Sequence, residues 1–353
     1  VGLESPMVGR NEPLRRIEAL FEVVSAGRGR VAFVIGEPGI GKSRLLAELR
    51  ARASPAGDPA AATWVEGRCI SYGRNLPYHL LIDVVRSLLG IPFLATEREA
   101  RATLDLRLAR LLGGDGGEGS DTAPYLAHLL SLPLRPEEAQ RGNLDPETIQ
   151  GRYVAATHRL LRAVSDKGPM VVVCEDLHWA DPASVDVARQ LLPLAAQLPI
   201  LFIGALRGET DTPGWELIGQ ARELFGEALS EIRLEALSPD ESRTLVANLL
   251  EIESLPASVR DAILERADGN PFFVEEVIRM LIEHGVIEPR GDHWVATSSI
   301  GSIAIPETLH GLLLARIDQL PDSAKKSLRI ASVIGRQFPV RVLEHVLAEE
   351  GDR

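Results

Sequence analysis

Only two cysteines, Cys69 and Cys174, occur in 353 residues. Two are too few for a disulfide framework or a thiolate metal cluster. Cys174 sits in an apolar run, where a buried thiol is expected. The scarcity suits a reducing compartment, so the expected location is the cytoplasm. Basic residues are also short: 38 Lys and Arg against 50 Asp and Glu leave a formal net charge of −12. That balance argues against direct nucleic-acid binding by this segment, which needs a basic face. Long apolar runs are missing too. None reaches the ~18–20 residues of a membrane span, and the start shows no signal-peptide pattern, so no membrane partner is expected. What remains is 45% hydrophobic and 25% charged, the profile of a soluble globular protein. The length suits two or three domains. The start at Val1 lacks a Met, and the end falls just after a helical pattern, Val340 to Glu350. A segment of a longer protein is therefore expected.

Against this background one stretch stands out. Gly36-Glu37-Pro38-Gly39-Ile40-Gly41-Lys42-Ser43 spells a complete phosphate-binding loop, G-x-x-x-x-G-K-[ST]. The apolar run Arg30–Ile35 precedes it and reads as a buried parallel strand. Arg44-Leu45-Leu46-Ala47-Glu48-Leu49-Arg50 follows with an apolar helical face. Strand, glycine loop and helix are the context the motif requires. Glycines let backbone N–H groups turn toward an anion, and the helix aims its positive end there. Lys42 is expected at the β- and γ-phosphates, and Ser43 on Mg²⁺. Gly36, Pro38, Gly39, Ile40, Gly41, Lys42, Ser43 and Arg44 are the expected contacts to a nucleoside triphosphate.

Such a loop needs an acidic partner. Met170-Val171-Val172-Val173-Cys174-Glu175-Asp176 is an apolar strand ending in two carboxylates. Strand ends in open α/β sheets point into the ligand crevice. Glu175 is placed to hold Mg²⁺, and Asp176 to orient or deprotonate the attacking water.

Strand patterns at Val31–Ile35, Thr63–Gly67, Met170–Cys174, Ile200–Ala205 and, more weakly, Glu231–Leu234 alternate with helical ones. The latter include Lys42–Ala51, Tyr78–Leu89, Pro146–Ser165 and Ser184–Leu192. This alternation predicts a parallel sheet covered on both faces. Gly113–Asp121 reads as a flexible, acidic surface loop. After Leu237 the pattern becomes helical. Ser238-Pro239-Asp240-Glu241 is a helix start with Ser238 as N-cap and Glu241 completing a capping box. Helices follow at Asp240–Leu250, Ala257–Ala267 and Phe272–His284. A hairpin pairs Gly285–Glu288 with His293–Ala296, and helices follow at Pro306–Gln319, Asp322–Val333 and Val340–Glu350. The expected fold class is α/β. A P-loop NTPase sheet with helices on both faces spans 1–235, a small helical domain with a hairpin 236–303, and a partial winged-helix-like domain 304–353.

Several motifs stand in one order: Met7-Val8-Gly9-Arg10, Gly36–Ser43, Gly67-Arg68-Cys69 with Tyr72-Gly73, and Glu175-Asp176-Leu177-His178-Trp179-Ala180-Asp181. Gly204-Ala205-Leu206-Arg207, Asp268-Gly269-Asn270-Pro271-Phe272 and Ile305-Pro306-Glu307 through Arg316-Ile317-Asp318 complete the series. Together they resemble the STAND-type signalling ATPases, relatives of AAA+ proteins found in bacterial LuxR-type transcriptional regulators and multidomain nucleotide cyclases. The resemblance implies that Val8, Gly9 and Arg10 border adenine through main-chain groups; a plain lead-in to a helix at Pro13–Val24 explains them as well. It implies that Arg207 senses the γ-phosphate by charge-assisted hydrogen bonds, where the alternative is a surface arginine. It implies that Pro271 packs on the adenine, where the alternative is a plain helix cap. His178 and Trp179 lack a nucleophile elbow, so they are expected to position the loop after the acids. His310 reads as an ordinary helix residue.

The order Glu175-Asp176 departs from the common Asp-Glu. Asp is one methylene shorter, and no trans arginine finger is evident. Slow hydrolysis is therefore expected. The reading is an ATP-binding switch module of a larger regulatory protein, with ATP, ADP and Mg²⁺ as ligands. Nucleotide-dependent homo-oligomerisation is expected, as is an output domain outside this segment, DNA-binding or cyclase. The alternatives are a ring-forming AAA+ remodelling ATPase and a non-hydrolysing nucleotide-bound scaffold.

Overall fold

The computed structural model describes residues 5–58, 61–73, 76–113, 117–141, 145, 147–250, 257–290, 293–297, 306, 308–335 and 338–351. The chain divides into two compact units: residues 10–235, and residues 1–9 together with 236–353.

The first unit is built on five parallel strands: β1 (Arg30–Ile35), β2 (Thr63–Arg68), β3 (Met170–Glu175), β4 (Ile200–Leu206) and β5 (Leu229–Arg233). They lie in the order β2-β3-β4-β1-β5. Val31, Phe33 and Ile35 join Met170, Val172 and Cys174 in one core cluster. Ala32, Val34, Val171 and Val173 alternate with them along the strands and are equally buried. Successive strand residues face opposite sides, so both faces of the sheet are covered. That is why β1 and β3 are continuous apolar runs rather than alternating ones. Gly204 on β4 lets the layers close: a Cβ there would sit 2.7 Å from Leu177 and from the Phe33 ring.

Helix α1 (Asn11–Ser25) precedes β1, and α2 (Lys42–Ala53) follows the phosphate loop. Between β2 and β3 run α3 (His79–Leu89), α4 (Glu97–Leu112), α5 (Glu118–Leu129), α6 (Pro136–Arg141) and α7 (Ile149–Ser165). They build their own apolar cluster, with Leu81, Leu104, Leu126 and Leu160 at its centre. Three of these helices, α4, α5 and α6, lie between Leu89 and Pro146, where no element is expected from the sequence. A capping box of Thr96 and Glu99 starts α4. The expected loop Gly113–Asp121 is partly helix. Glu118 and Asp121 stand in the first turn of α5, where acids complement the helix dipole. Gly119 is buried, its missing Cβ 2.6 Å from the Gly113 carbonyl. Residues 114–116 of that stretch lie outside the described residues. Helices α8 (Pro182–Leu191) and α9 (Pro213–Phe225) complete the unit.

The second unit holds α10 (Pro239–Leu250), α11 (Ala257–Ala267), α12 (Pro271–Glu283), β6 (Ile287–Arg290), β7 (His293–Ala296), α13 (Leu309–Asp318), α14 (Asp322–Ile334) and α15 (Val340–Gly351). The Ser238–Glu241 capping box forms: the Ser238 N–H donates to Glu241 Oε2 at 2.7 Å and the Glu241 N–H to Ser238 Oγ at 3.3 Å. Ile287 pairs with Ala296 and Arg290 with His293. The first hairpin strand is thus two residues later than the sequence suggested. Gly285 and Val286 instead close the end of α12, with Gly285 in a left-handed conformation. Gly291, Asp292, Ile305 and Glu307 lie outside the described residues. Arg316 on α13 bridges two carboxylates of α12, pairing with Glu276 and with Glu283 at 2.6 Å.

Candidate functional site

Three neighbouring strands deliver the site to one sheet edge. The phosphate loop leaves β1, Arg207 follows β4 beside it, and Glu175 and Asp176 end β3 on the far side of β4. All point the same way because the strands are parallel.

In the loop, Gly39 and Gly41 have φ of 77° and 103°, which side chains resist and glycine tolerates. Gly36 is also held tightly: a Cβ would lie 2.8 Å from Ile40 Cγ2. Lys42 opens α2 and curls over the loop, its Nζ donating to the carbonyls of Gly36 at 2.6 Å and Glu37 at 3.0 Å. Burial pulls its ammonium below the usual lysine value. Asp176 opposes that fall, Arg207 adds to it, and Glu37 and Glu175 oppose it more weakly. Lys42, Asp176, Glu175 and Arg207 therefore share one electrostatic neighbourhood, bringing together the charged residues expected at the phosphates.

Ser43 Oγ donates to Glu175 Oε2 at 2.6 Å. The other oxygen of Glu175 is paired with Arg68. Burial works against the Arg68 charge, but the Glu175 carboxylate outweighs it and holds Arg68 above the usual arginine value. No role is expected for Arg68 from its place in Gly67-Arg68-Cys69. Register creates its partnership, because β2 and β3 place Arg68 beside Glu175. No spacing in the sequence reveals that pairing. A hydroxyl and a carboxylate this close are hard oxygen donors suited to Mg²⁺. Among the described residues no group of three His, Cys, Asp or Glu could hold a metal. A cation here would thus rely on Ser43, Glu175 and a ligand's phosphates, the usual manner for Mg²⁺.

Asp176 is one of four described non-glycine residues with positive φ, at 57°. That conformation is strained for most side chains and gathers at functional sites. The next three residues form a 3-10 turn with Leu177 and His178 buried. The His178 and Trp179 rings lie 4.5 Å apart. Arg207 sets its guanidinium carbon 5.1 Å from the Trp179 ring centroid and pairs with Glu209 at 3.8 Å. Buried Asp181 caps α8, accepting from the Ser184 N–H at 2.9 Å, and also accepts from the Tyr78 N–H at 3.0 Å. It thereby ties the turn after the acids to the start of α3. Burial raises the Cys174 thiol to about 12 and Cys69 well above its usual value.

The remaining expected residues divide between the units. Arg10 is buried in the first, its Nη2 donating to the carbonyls of Ile40 at 3.1 Å and Glu235 at 2.8 Å. Pro38 lies within the loop, and Arg44 pairs along α2 with Glu48 at 3.1 Å. Val8, Gly9 and Pro271 belong to the second unit. Val8 packs on its apolar cluster, and Gly9, with φ of 69°, leaves no room for a Cβ beside Glu241 and Leu237. Pro271 is the first residue of α12, which Asn270 caps by accepting from Phe272 N–H at 3.1 Å and Phe273 N–H at 3.3 Å. Gly269, with φ of 71°, brings its carbonyl 2.8 Å from the Leu237 N–H. His310 is an exposed residue of α13.

Comparison with known proteins places the chain in a wider group. A family model described as AAA ATPase domain matches residues 6–203, and a domain of unknown function matches 238–291. An uncharacterised protein of Rhizobium meliloti is 25% identical over 98% of the chain and 31% of its own length. Adenylate cyclase type 10 of Rattus norvegicus is 20% identical over 97% of the chain and 23% of its own length. The chain therefore spans under a third of either relative. Among solved structures, the ORC1 protein of Aeropyrum pernix in complex with DNA is similar at TM-score 0.45 and 14% identity, covering 98% of this chain and 84% of that one. A Signal Transduction ATPase with Numerous Domains carrying a tetratricopeptide repeat sensor, from Pyrococcus horikoshii, is similar at TM-score 0.41 and 14% identity, covering 90% and 46%.

Proposed function

The chain belongs to the AAA ATPase domain family, and from that premise we propose that it is a slowly hydrolysing, ATP-dependent switch module of a larger regulatory protein. Binding of the triphosphate falls to Gly36–Ser43, with Lys42 at the β- and γ-phosphates and Arg207 reading the γ-phosphate. Ser43 and Glu175 would hold Mg²⁺, which supplies charge neutralisation of the phosphate oxygens. The observation that carries the reading is the state of Glu175: both carboxylate oxygens are engaged, one by Ser43 and the other by Arg68. Orienting the attacking water therefore falls to Asp176, whose shorter side chain favours a long-lived ATP state. Such persistence suits a switch.

In this reading Val8, Gly9 and Pro271 contribute from the second unit to the base, so that the bound nucleotide reweights the arrangement of the units. The ATP state would expose surfaces for self-association and pass the signal to an output domain, DNA-binding or cyclase. The cyclase relatives' greater length leaves room for one. Residues 236–303 would act as the helical domain and 304–353 as the winged-helix-like one, in a cytoplasmic protein. Small-angle scattering tests the switch: compactness should differ between the ADP state and that with a non-hydrolysable ATP analogue, and identical profiles would reject it. An assay of turnover against protein concentration should show slow, concentration-independent hydrolysis. Steep activation on assembly would favour a ring-forming remodelling ATPase instead.

A further inference from the structure

Arg10 is only 7% exposed, yet it carries a charge. A buried guanidinium is costly unless its donors are engaged. Its Nη2 donates to two main-chain carbonyls, those of Ile40 and Glu235. The first belongs to the phosphate loop. The second belongs to the last residue of the first unit, of which Arg10 itself is the first. One side chain thus fastens the loop to the first and last residues of that unit.

The bond to Ile40 has a consequence for the ligand. In a trans peptide the C=O and the following N–H point in opposite directions. Drawing the Ile40 carbonyl toward Arg10 turns the Gly41 N–H to the other side. Gly41 accepts the required conformation at φ 103°. The loop carbonyls are thereby sorted: Gly36 and Glu37 face the Lys42 ammonium, while Ile40 faces the guanidinium. A carbonyl left unheld at Ile40 could rotate toward the bound anion and repel it. The geometry points to Arg10 as a positioning residue for polyphosphate: its side chain fixes the Ile40–Gly41 peptide so that the Gly41 N–H serves the phosphates, and it takes no part in choosing the base. The inference rests on the nucleotide reading of the loop.

The test titrates the parent protein, Arg10→Met and Arg10→Lys with ATP, GTP and inorganic tripolyphosphate in the presence of Mg²⁺. Methionine keeps the apolar bulk of the side chain and removes the donors. Arg10→Met should weaken ATP and tripolyphosphate by a similar factor, about tenfold or more for a lost charge-assisted hydrogen bond. The ATP-to-GTP ratio should keep its parent value. Arg10→Lys should recover part of the loss. An unchanged tripolyphosphate affinity in Arg10→Met overturns the inference, as does a collapse of the ATP-to-GTP ratio. If the melting curve shows Arg10→Met unfolded, Arg10→Lys decides: one ammonium in place of the guanidinium should still cost tripolyphosphate a few-fold, and parent affinity overturns the inference. A parent protein that binds neither ATP nor tripolyphosphate rejects the nucleotide reading itself.

Discussion

Arg207 lies over the face of Trp179, its guanidinium carbon 5.1 Å from the ring centroid. The two residues leave adjacent strands, Trp179 through the turn after β3 and Arg207 directly after β4. The ring attracts the cation and limits its swing, a contact worth about 0.5–2 kcal/mol. Trp179 thus restrains the arginine. Arg207→Ala should bind ADP as the parent does and lose preference for ATP by the worth of charge-assisted hydrogen bonds, about 1.5–3 kcal/mol. Trp179→Ala should lose a smaller part of the same preference. Calorimetric titration with both nucleotides checks this, and undiminished preference in Arg207→Ala would remove the sensor role.

Lys42→Ala removes the loop's point charge and should abolish tight triphosphate binding. The parent should show a matching pH effect. Burial, opposed by Asp176 and reinforced by Arg207, lowers the Lys42 value below that of an exposed lysine. Between the lowered value and 10.5 the unfolded chain holds more protons than the folded one, so Lys42's contribution to stability rises with pH there. A bound triphosphate favours the ammonium, so binding should take up a proton in that window and weaken as pH rises through it. Titrations in buffers of different ionisation enthalpy measure the uptake; its absence in the alkaline range would place Lys42 away from the phosphates.

Asp176→Asn should keep ATP bound and slow its hydrolysis by roughly 10²–10⁴, the usual worth of a general base. Glu175→Gln should instead weaken Mg²⁺-dependent binding, because Ser43 and Arg68 lose their carboxylate partner. Single-turnover rates and Mg²⁺ titrations separate the two, and normal turnover in Asp176→Asn would take that residue out of the chemistry.

Gly204→Ala should destabilise the first unit by about 1–3 kcal/mol, the cost of overpacking a filled core. Its Cβ would meet the Phe33 ring and Leu177 at 2.7 Å. Since Leu177 follows Asp176, ATP turnover should fall along with the denaturation midpoint. An unchanged midpoint would show that this layer yields easily.

The sheet was legible because its three central strands announce themselves. The runs at Val31–Ile35, Met170–Cys174 and Ile200–Leu206 are apolar throughout, and only burial on both faces asks for that. The helices of the β2–β3 connection were harder to read. Glu97–Leu112 is half polar, burying only Ala100, Leu104 and Leu108 on a narrow stripe. The glycines near Gly113 read as loop although Gly119 packs inside a helix. Asp181 is similar: its residue type is suited to a cap, but its second partner, the Tyr78 N–H, comes from 103 residues away.

By itself the sequence determined the chemistry on offer at one sheet edge. A glycine loop before a helix can only present N–H groups and a lysine to an anion, and a strand ending in Glu175-Asp176 can only present carboxylates. These are local properties of backbone conformation and side-chain type. The tertiary structure decided who holds whom. Parallel register set Arg68 beside Glu175, the order of strands brought Ser43 within 2.6 Å of the same carboxylate, and burial committed Arg10 to the Ile40 carbonyl. Those partnerships join residues far apart in the chain, and nothing local encodes them.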